Sequence, residues 1–262
     1  MPAILLLATL LSAPEAEAPP SPRETFLQAL RIVQGARQSE MVERLEEFIA
    51  RSLDGPATLG ESVERGRLRR RNLLLGLGIL FDHSDTLPRS PFTRGIFAGI
   101  IQPQEHSARE RFLGRIHVAG RNDAGKHFFL SAALTAAFGP YIAERIGRDK
   151  EIADARRFDS PRPSGDGFSF VDLAYNHAGI RYACRLLGWR ERARLEEVPH
   201  PPRAFLPSIG ALELPERIGW GEYRRRFHGS RISEYHHIIE SIHAAIDESL
   251  ARHEAQRRDG NR

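Results

Sequence analysis

Three polar patterns near the middle of the chain place groups that can do chemistry at helical spacing. Asp123 and His127 are four residues apart at the start of the apolar run GRNDAGKHFFLSAALTAAFGPYIAE (120–144), and Asp172 and Asn176 are also four apart. Residues four apart face the same way on a helix. A His among carboxylates can form an ion pair, act as a base or, when neutral, bind a metal. The third pattern lies between the other two and consists of Lys150, Glu151 and Asp154.

Each group alone has a plain structural explanation. Asp123 could cap a helix, and His127 could be a satisfied core histidine. Glu151 and Asp154 could lie on a solvated face, and Asn176 could brace a neighbouring backbone. However, apolar residues flank every pair, and burying an unpaired polar group costs on the order of a few kcal/mol. We therefore expect one shared cluster on three consecutive helices, formed by Asp123, His127, Glu151, Asp154, Asp172 and Asn176.

Two chemical roles are open to this cluster besides a purely structural one. In a catalytic role, the acting residues are His127, Glu151 and Asp172. In a metal-binding role, the ligands to a divalent ion, which is the one candidate cofactor, are Asp123, His127, Glu151 and Asp154. In that reading Lys150 would hold an anion, and Asn176 would complete the polar cluster. Replacing Asp172 should then destabilise the fold or abolish function, whereas replacing Asp159, in the intervening loop, should do little.

The elements that must position these groups are helices. Apolar residues recur at a period of 3.6 near both ends and in the centre of the 262-residue chain, which predicts a mainly α fold, an irregular helical bundle with long loops. We expect an N-terminal helical segment over 19–54 and a main helical domain over 55–262, with its core at 120–188. The central helices are predicted at 124–146, 148–156 and 169–188, and a terminal helix at 230–256.

The segments before the core are less regular. The apolar stretch 73–81 fits either a strand or a buried helix turn, because periodicity does not decide between them for so short a run. Segment 88–122 contains several Pro and Gly residues and should be mostly loop, with a short helix around 107–116.

The N-terminus has the composition of an export signal. An apolar stretch of about ten residues is followed by Ala-x-Ala at 16–18, as in a signal peptide, and it is too short to span a bilayer. We therefore expect residues 1–18 to be a signal peptide and the protein to reside in the cell envelope, either periplasmic or associated with the membrane.

The central segment resembles a known family. The order DxxxH, KExxD and SxxDxxxNxxG, which spans about 120–188 here, is similar to the pattern of VanZ-like proteins and the related YfiM-like lipoproteins, which are bacterial envelope proteins. In this chain it reads D123-AGK-H127, K150-E151-IA-D154 and S169-FV-D172-LAY-N176-HA-G179. The resemblance implies a location in the envelope and a helical fold rather than a particular reaction.

Composition narrows the function classes. The single cysteine, Cys184, excludes disulfide frameworks and Cys-based zinc sites within the chain. No GxGxxG, P-loop, HExxH or GxSxG motif is present. The leading hypothesis is an envelope-associated helical protein whose polar cluster has a structural or binding role, with a membrane lipid or an envelope component as its partner.

Two alternatives remain. The first is a metal-dependent hydrolase or phosphoesterase that acts on a lipid-linked or cell-wall substrate. The second is a helical module that binds nucleic acid or a protein partner through the arginine clusters RGRLRRR (65–71) and EYRRRF (222–227), which contribute to a net charge of +4. Nucleic acid is the least favoured partner, because no aromatic and basic reader motif accompanies these clusters.

Overall fold

The fold is mainly α, as predicted. The computed structural model describes residues 18–53, 63–113, 115–189, 201–227 and 232–260, and about 75% of these residues are helical. Within these ranges the extended backbone forms only isolated bridges. No helix in the same ranges is both long and apolar enough to cross a bilayer. The predicted signal peptide lies, apart from residue 18, outside the described residues.

The chain order of the helices is as follows. The α-helices are α1 (Pro22–Gly35), α2 (Met41–Leu53), α3 (Val63–Phe81), α4 (Thr86–Arg89), α5 (Arg94–Phe97), α6 (Pro103–Leu113), α7 (Ala124–Phe138), α8 (Pro140–Phe158), α9 (Phe170–Leu187), α10 (Trp220–Phe227) and α11 (Ile232–Gly260). Short 3-10 helices cover Gln38–Glu40, Pro202–Phe205 and Ile209–Ala211. The stretch 73–81 is therefore part of a helix, and segment 88–122 contains the second half of α4, all of α5 and α6 and the loops around them.

Helix α7 lies at the centre of the fold and packs most extensively on α9 and α3. Two glycines permit these close crossings. A Cβ atom at Gly179 of α9 would lie 2.0 Å from the backbone oxygen of Phe128, and one at Gly78 of α3 would lie 2.3 Å from the Cβ atom of Ala133. Both distances are far below van der Waals contact, so the backbones approach more closely than a larger residue would allow.

The boundary between α7 and α8 differs from the predicted one. A helix was expected to run through 124–146, but α7 ends at Phe138, and α8 then runs unbroken from Pro140 to Phe158. Gly139 adopts a positive φ of 92°, which glycine tolerates, and Pro140 suits the first turn of a helix because its missing N–H has no partner there. The polar residues of 150–154 therefore lie in the middle of α8.

The N-terminal helices belong to the same hydrophobic core as the central ones. Ser21 and Glu24 form a reciprocal capping box at the start of α1. Arg23 of α1 reaches Glu105 of α6, with nitrogen–oxygen distances of 2.8 and 3.0 Å. Side chains of α1 and α2, such as Phe26, pack in one cluster with those of α3, α7 and α9. Helices α1 and α2 are thus held by packing, and α1 also by an ion pair.

A buried polar network fixes the loop after α3. The fully buried guanidinium of Arg109 donates to Asp85 Oδ1 at 2.7 Å and to the backbone oxygen of Ile79 at 3.2 Å. Asp85 has a positive φ of 51° and also lies 3.0 Å from His106 Nδ1. Sequence patterns did not single out this network, which positions α4 beside the central helices.

Candidate functional site

His127 is the junction of the predicted cluster. Its Nε2 atom lies 3.1 Å from Asp172 Oδ2, and its Nδ1 atom lies 3.3 Å from Asn176 Oδ1. Ser131, one turn further along α7, donates to the same Asn176 oxygen at 2.9 Å. Both ring nitrogens therefore face oxygen acceptors, an arrangement that a doubly protonated imidazole satisfies. All four side chains are buried.

Lys150 supplies the cation of the cluster. Its ammonium lies 2.7 Å from Glu151 Oε1, 3.0 Å from Asp154 Oδ2 and 3.8 Å from Asp172 Oδ2. Arg157 forms a second ion pair with Asp154. The side chain of Lys150 remains 41% exposed, so its charged end is shared between the buried carboxylates and the adjoining surface.

The backbone at the start of α9 holds two of the carboxylates in place. Ser169 caps this helix because its hydroxyl accepts from the N–H of Asp172 at 3.0 Å. The N–H of Ser169 donates to Glu151 Oε2 at 3.2 Å. On the other side, a Cβ atom at Gly147 would lie 3.0 Å from Asn176 Nδ2. The small residue therefore allows α8 to approach Asn176.

The charges of the cluster shift the pKa values of its two most deeply buried carboxyl groups in opposite directions. Burial opposes ionisation of Asp172, but the hydrogen bond and charge of His127, together with Lys150, outweigh it and lower the pKa of Asp172 to about 2. Burial and the nearby charge of Asp172 raise the pKa of Glu151 to about 7. Burial works against the Lys150 ammonium, yet Glu151 and the other carboxylates raise the pKa of Lys150.

Asp123 was expected in one cluster with His127, and the structure gives its carboxylate a different hydrogen-bond partner. Its carboxylate is held by Arg121, with nitrogen–oxygen distances of 2.9 and 2.7 Å, and Arg121 also reaches Glu216 at 3.1 Å. The Arg121 hydrogen bonds lower the pKa of Asp123 despite its partial burial. The Asp123 side chain makes no capping hydrogen bond to α7. A cation two residues away thus competes successfully for this carboxylate.

The predicted metal-ligand set is corrected by the same geometry. Within the described ranges, the group of metal-binding side chains that converges is His127, Glu151 and Asp172, each offering one ligand atom within 4.8 Å of the others. Asp172 thus takes the place predicted for Asp123 and Asp154. Arg121 holds the Asp123 carboxylate, and Lys150 and Arg157 both hold the Asp154 carboxylate. One imidazole nitrogen and two carboxylate oxygens suit a divalent ion such as Zn²⁺ or Mn²⁺, but the Lys150 ammonium already neutralises these oxygens.

A pocket of about 570 Å³ opens beside the cluster. His127, Ser131, Asn176 and Lys150 of the cluster line it, together with apolar side chains: Leu87, Phe92, Leu130, Leu134, Ile142 and Ile146. No sequence pattern described above indicated this pocket. One signal was available, since Lys126, Leu130 and Leu134 recur at four-residue spacing along α7.

The arginine clusters are partly used within the fold. Arg70 donates to the backbone oxygen of Leu186, and Arg71 to that of Ala136. Arg226 reaches both Glu222 and Glu234 at 2.9 Å. Apart from the Arg226–Glu222 pair within α10, these contacts join neighbouring helices, so they give no support to the nucleic-acid alternative.

Asp159, whose replacement was expected to have little effect, makes a specific contact in the folded protein. Its Oδ2 atom accepts from the N–H of Gly221 at 2.8 Å, in the first turn of α10. A carboxylate at this place satisfies a free N–H group and complements the helix dipole. Asp159 therefore stabilises the junction between α8 and α10.

Comparisons with protein-family models, with curated proteins and with solved structures give no match to this chain.

Proposed function

We propose that the protein binds an amphipathic anion in the pocket beside His127, with the cluster as the polar end of the site. The observation that carries this proposal is the composition of the pocket lining, in which apolar side chains of α7 and α8 occur together with the buried polar groups of His127 and Asn176. Its volume of about 570 Å³ lies within the ~300–1,000 Å³ typical of small-molecule sites. Apolar walls with a few convergent polar groups are the usual composition of such sites.

Charge favours an acidic head group. Three cationic side chains line the pocket, Lys126, Arg145 and Lys150, against one acid, Asp149. Arg145 Nε lies 3.7 Å from Asp149 Oδ2, and the Lys150 ammonium is held by Glu151 and Asp154, which leaves Lys126 as the excess charge among the lining residues. A carboxylate or a phosphate on an alkyl chain therefore complements both parts of the site.

A place in the cell envelope is part of this proposal. It is supported by the apolar N-terminal stretch with its Ala-x-Ala and by the resemblance of 120–188 to VanZ-like and YfiM-like envelope proteins. Membrane lipids and their breakdown products are the amphipathic anions of that compartment. The ligand class and the location thus agree with one another.

Displacement of a fluorescent fatty acid tests the binding proposal. Dodecyl phosphate and dodecanoate, used below their micelle-forming concentrations, should displace the fluorescent ligand, and the uncharged dodecyl maltoside should not. The two anions distinguish a phosphate from a carboxylate head group. Equal displacement by the neutral detergent would contradict the charge argument, and no binding of any alkyl compound would overturn the function.

A pocket-filling variant and a matched control locate the binding. Leu130→Trp places a large ring in the pocket and should weaken dodecyl phosphate binding by about tenfold or more, since tenfold corresponds to only ~1.4 kcal/mol. Leu27→Trp makes the same change at a partly buried position of α1, outside the pocket. If both variants bind like the unaltered protein, the ligand does not occupy this pocket.

A second candidate function, metal-dependent hydrolysis of a lipid-linked or cell-wall substrate, is favoured by the convergence of His127, Glu151 and Asp172. A divalent ion there would supply a Lewis acid and an activated water. It would also displace the Lys150 ammonium from the carboxylates it now contacts. The half-exposed Lys150 has room to move into the pocket, where it would face an anionic substrate.

Calorimetric titration with Zn²⁺ and Mn²⁺ tests this second candidate without an activity assay. Lys150→Met removes the competing ammonium and should tighten metal binding, whereas His127→Ala should abolish it. An exposed histidine of α11, such as His236, provides the control His236→Ala, which should leave the affinity unchanged. If Lys150→Met binds no metal, the cluster is an internal ion-pair network and the hydrolase candidate fails.

A further inference from the structure

The surface around the pocket mouth carries an unusual set of exposed apolar side chains. Phe92 lines the pocket and is 89% exposed, and Ile142 lines it and is 40% exposed. Tyr141, next to Ile142 in the first turn of α8, is 72% exposed. Trp189 is 42% exposed and lies beside Gly139, because a Cβ atom there would be 4.0 Å from its ring. Three aromatic rings and one aliphatic chain thus lie in the region where α8 begins and the pocket opens.

Cationic side chains lie in the same region. Lys126, Arg145 and Lys150 all line the pocket. The side chain of Arg145 is 60% exposed beside Asp149, and that of Lys150 is 41% exposed while its ammonium contacts Glu151 and Asp154. Exposed aromatic rings next to Lys and Arg are the combination found where proteins meet the surface of a bilayer. Each basic side chain near an anionic membrane adds to the attraction.

We propose that this face, formed by Phe92, Tyr141, Ile142 and Trp189 with the cations of the pocket mouth, docks on an anionic lipid bilayer. The rings enter the interfacial layer, and the basic groups contact the lipid phosphates. The docking surface is inferred from exposure and charge alone. Its use as a route for the ligand rests on the proposed function, since a pocket that opens toward the bilayer takes up an alkyl chain without exposing it to water.

Site-specific fluorescence tests the docking face in the full chain, independently of the apolar N-terminal stretch. Tyr141→Cys carries an environment-sensitive NBD label, and Val63→Cys, a 59% exposed position at the start of α3, carries the same label as the control. Cys184 is buried and so is shielded from the reagent. The vesicles are either phosphatidylcholine alone or phosphatidylcholine with phosphatidylglycerol.

The label at position 141 should brighten by about twofold or more and shift to the blue on anionic vesicles, because the dye leaves water for the lipid interface. Its response to neutral vesicles should be weak. High salt should weaken its response to anionic vesicles, because salt screens the attraction between the basic groups and the lipids. The label at position 63 should not respond. A second substitution, Phe92→Ser, should reduce the response at position 141.

Three results would overturn the docking face. These are equal responses at positions 63 and 141, no response at 141, and a response at 141 that depends on protein concentration without vesicles, which indicates contact between copies of the chain. Dodecyl phosphate binding is measured on the same preparations. Binding without docking retains the proposed function and rejects the face, whereas docking without binding does the reverse.

Discussion

Replacing Asp172 by Asn tests how much the cluster contributes to stability. The amide has the shape of the protonated acid but cannot ionise. The pKa of Asp172 falls from an ordinary 3.8 to about 2, and one pKa unit corresponds to about 1.4 kcal/mol. Ionisation therefore stabilises the folded state by about 2 kcal/mol at neutral pH. This contribution is present above pH 3.8 and is lost as the pH falls toward 2, so Asp172→Asn should cost about 2 kcal/mol at pH 7 and little at pH 2.

Urea denaturation followed by far-ultraviolet circular dichroism measures this difference, because most of the described chain is helical. Asp149→Asn is the matched control. Asp149 is 57% exposed, and its nearest cations lie at 3.7 and 3.9 Å, so its loss should cost less than about 1 kcal/mol. If the two variants have the same unfolding free energy at pH 7, the His127–Asp172 contact does not stabilise the fold and the reasoning is wrong.

Three further predictions concern single positions. Burial and a neighbouring carboxylate raise the pKa of Glu151 from 4.5 to about 7. Between these two pH values the folded state keeps a proton that the unfolded state has lost, so the free energy of unfolding falls as the pH rises. Glu151→Gln should abolish this pH dependence in urea titrations and should be more stable than the unaltered protein at pH 8. Gly179→Ala should destabilise the protein by on the order of 3 kcal/mol or prevent folding, because the new Cβ atom meets the backbone of α7. Thermal melts should show no loss for Gly66→Ala, a helical position with open space around it, where alanine favours the helix. Asp159→Ala should cost about 1 kcal/mol through the lost N–H contact to α10, and an unchanged melting temperature would contradict that contact.

Local patterns predicted much of the site because several of its side chains are only a few residues apart on the same helix. The spacing of Asp172 and Asn176 placed both on one face of α9, and both indeed approach His127. The apolar surroundings also indicated correctly that these groups would be buried and paired. Helix type followed from periodicity over long segments, which is the most dependable signal in a single sequence.

Competition between partners is what the patterns did not resolve. Asp123 is four residues from His127, but Arg121 is closer along the chain and binds it with two hydrogen bonds. Asp159 looked dispensable because its partner, the N–H of Gly221, comes 62 residues later. Gly139 and Pro140 indicate a break between α7 and α8. The predicted helix over 124–146 ignored this signal because the apolar run continues across it.

The pocket was missed for a related reason. Its walls come from three separate stretches of the chain, 86–93, 126–134 and 142–150, with Asn176 added from α9. Each stretch alone reads as an ordinary amphipathic or loop segment. Their meeting depends on the close packing of α7 with its neighbours and on the Arg109–Asp85 contact, which holds α4 in place. Such long-range positioning has no signature in local spacing.

The central claim, that the His127 cluster is the polar end of a ligand site, is tested most directly by nuclear magnetic resonance of the His127 ring during titration with dodecyl phosphate. The ring nitrogens face Asp172 and Asn176, and the same side chain lines the pocket. We expect saturable changes in the His127 ring signals at the ligand concentration that displaces the fluorescent fatty acid, with the signals of His236 on α11 unchanged. Unchanged His127 signals at saturating ligand, or equal changes in both histidines, would contradict the claim.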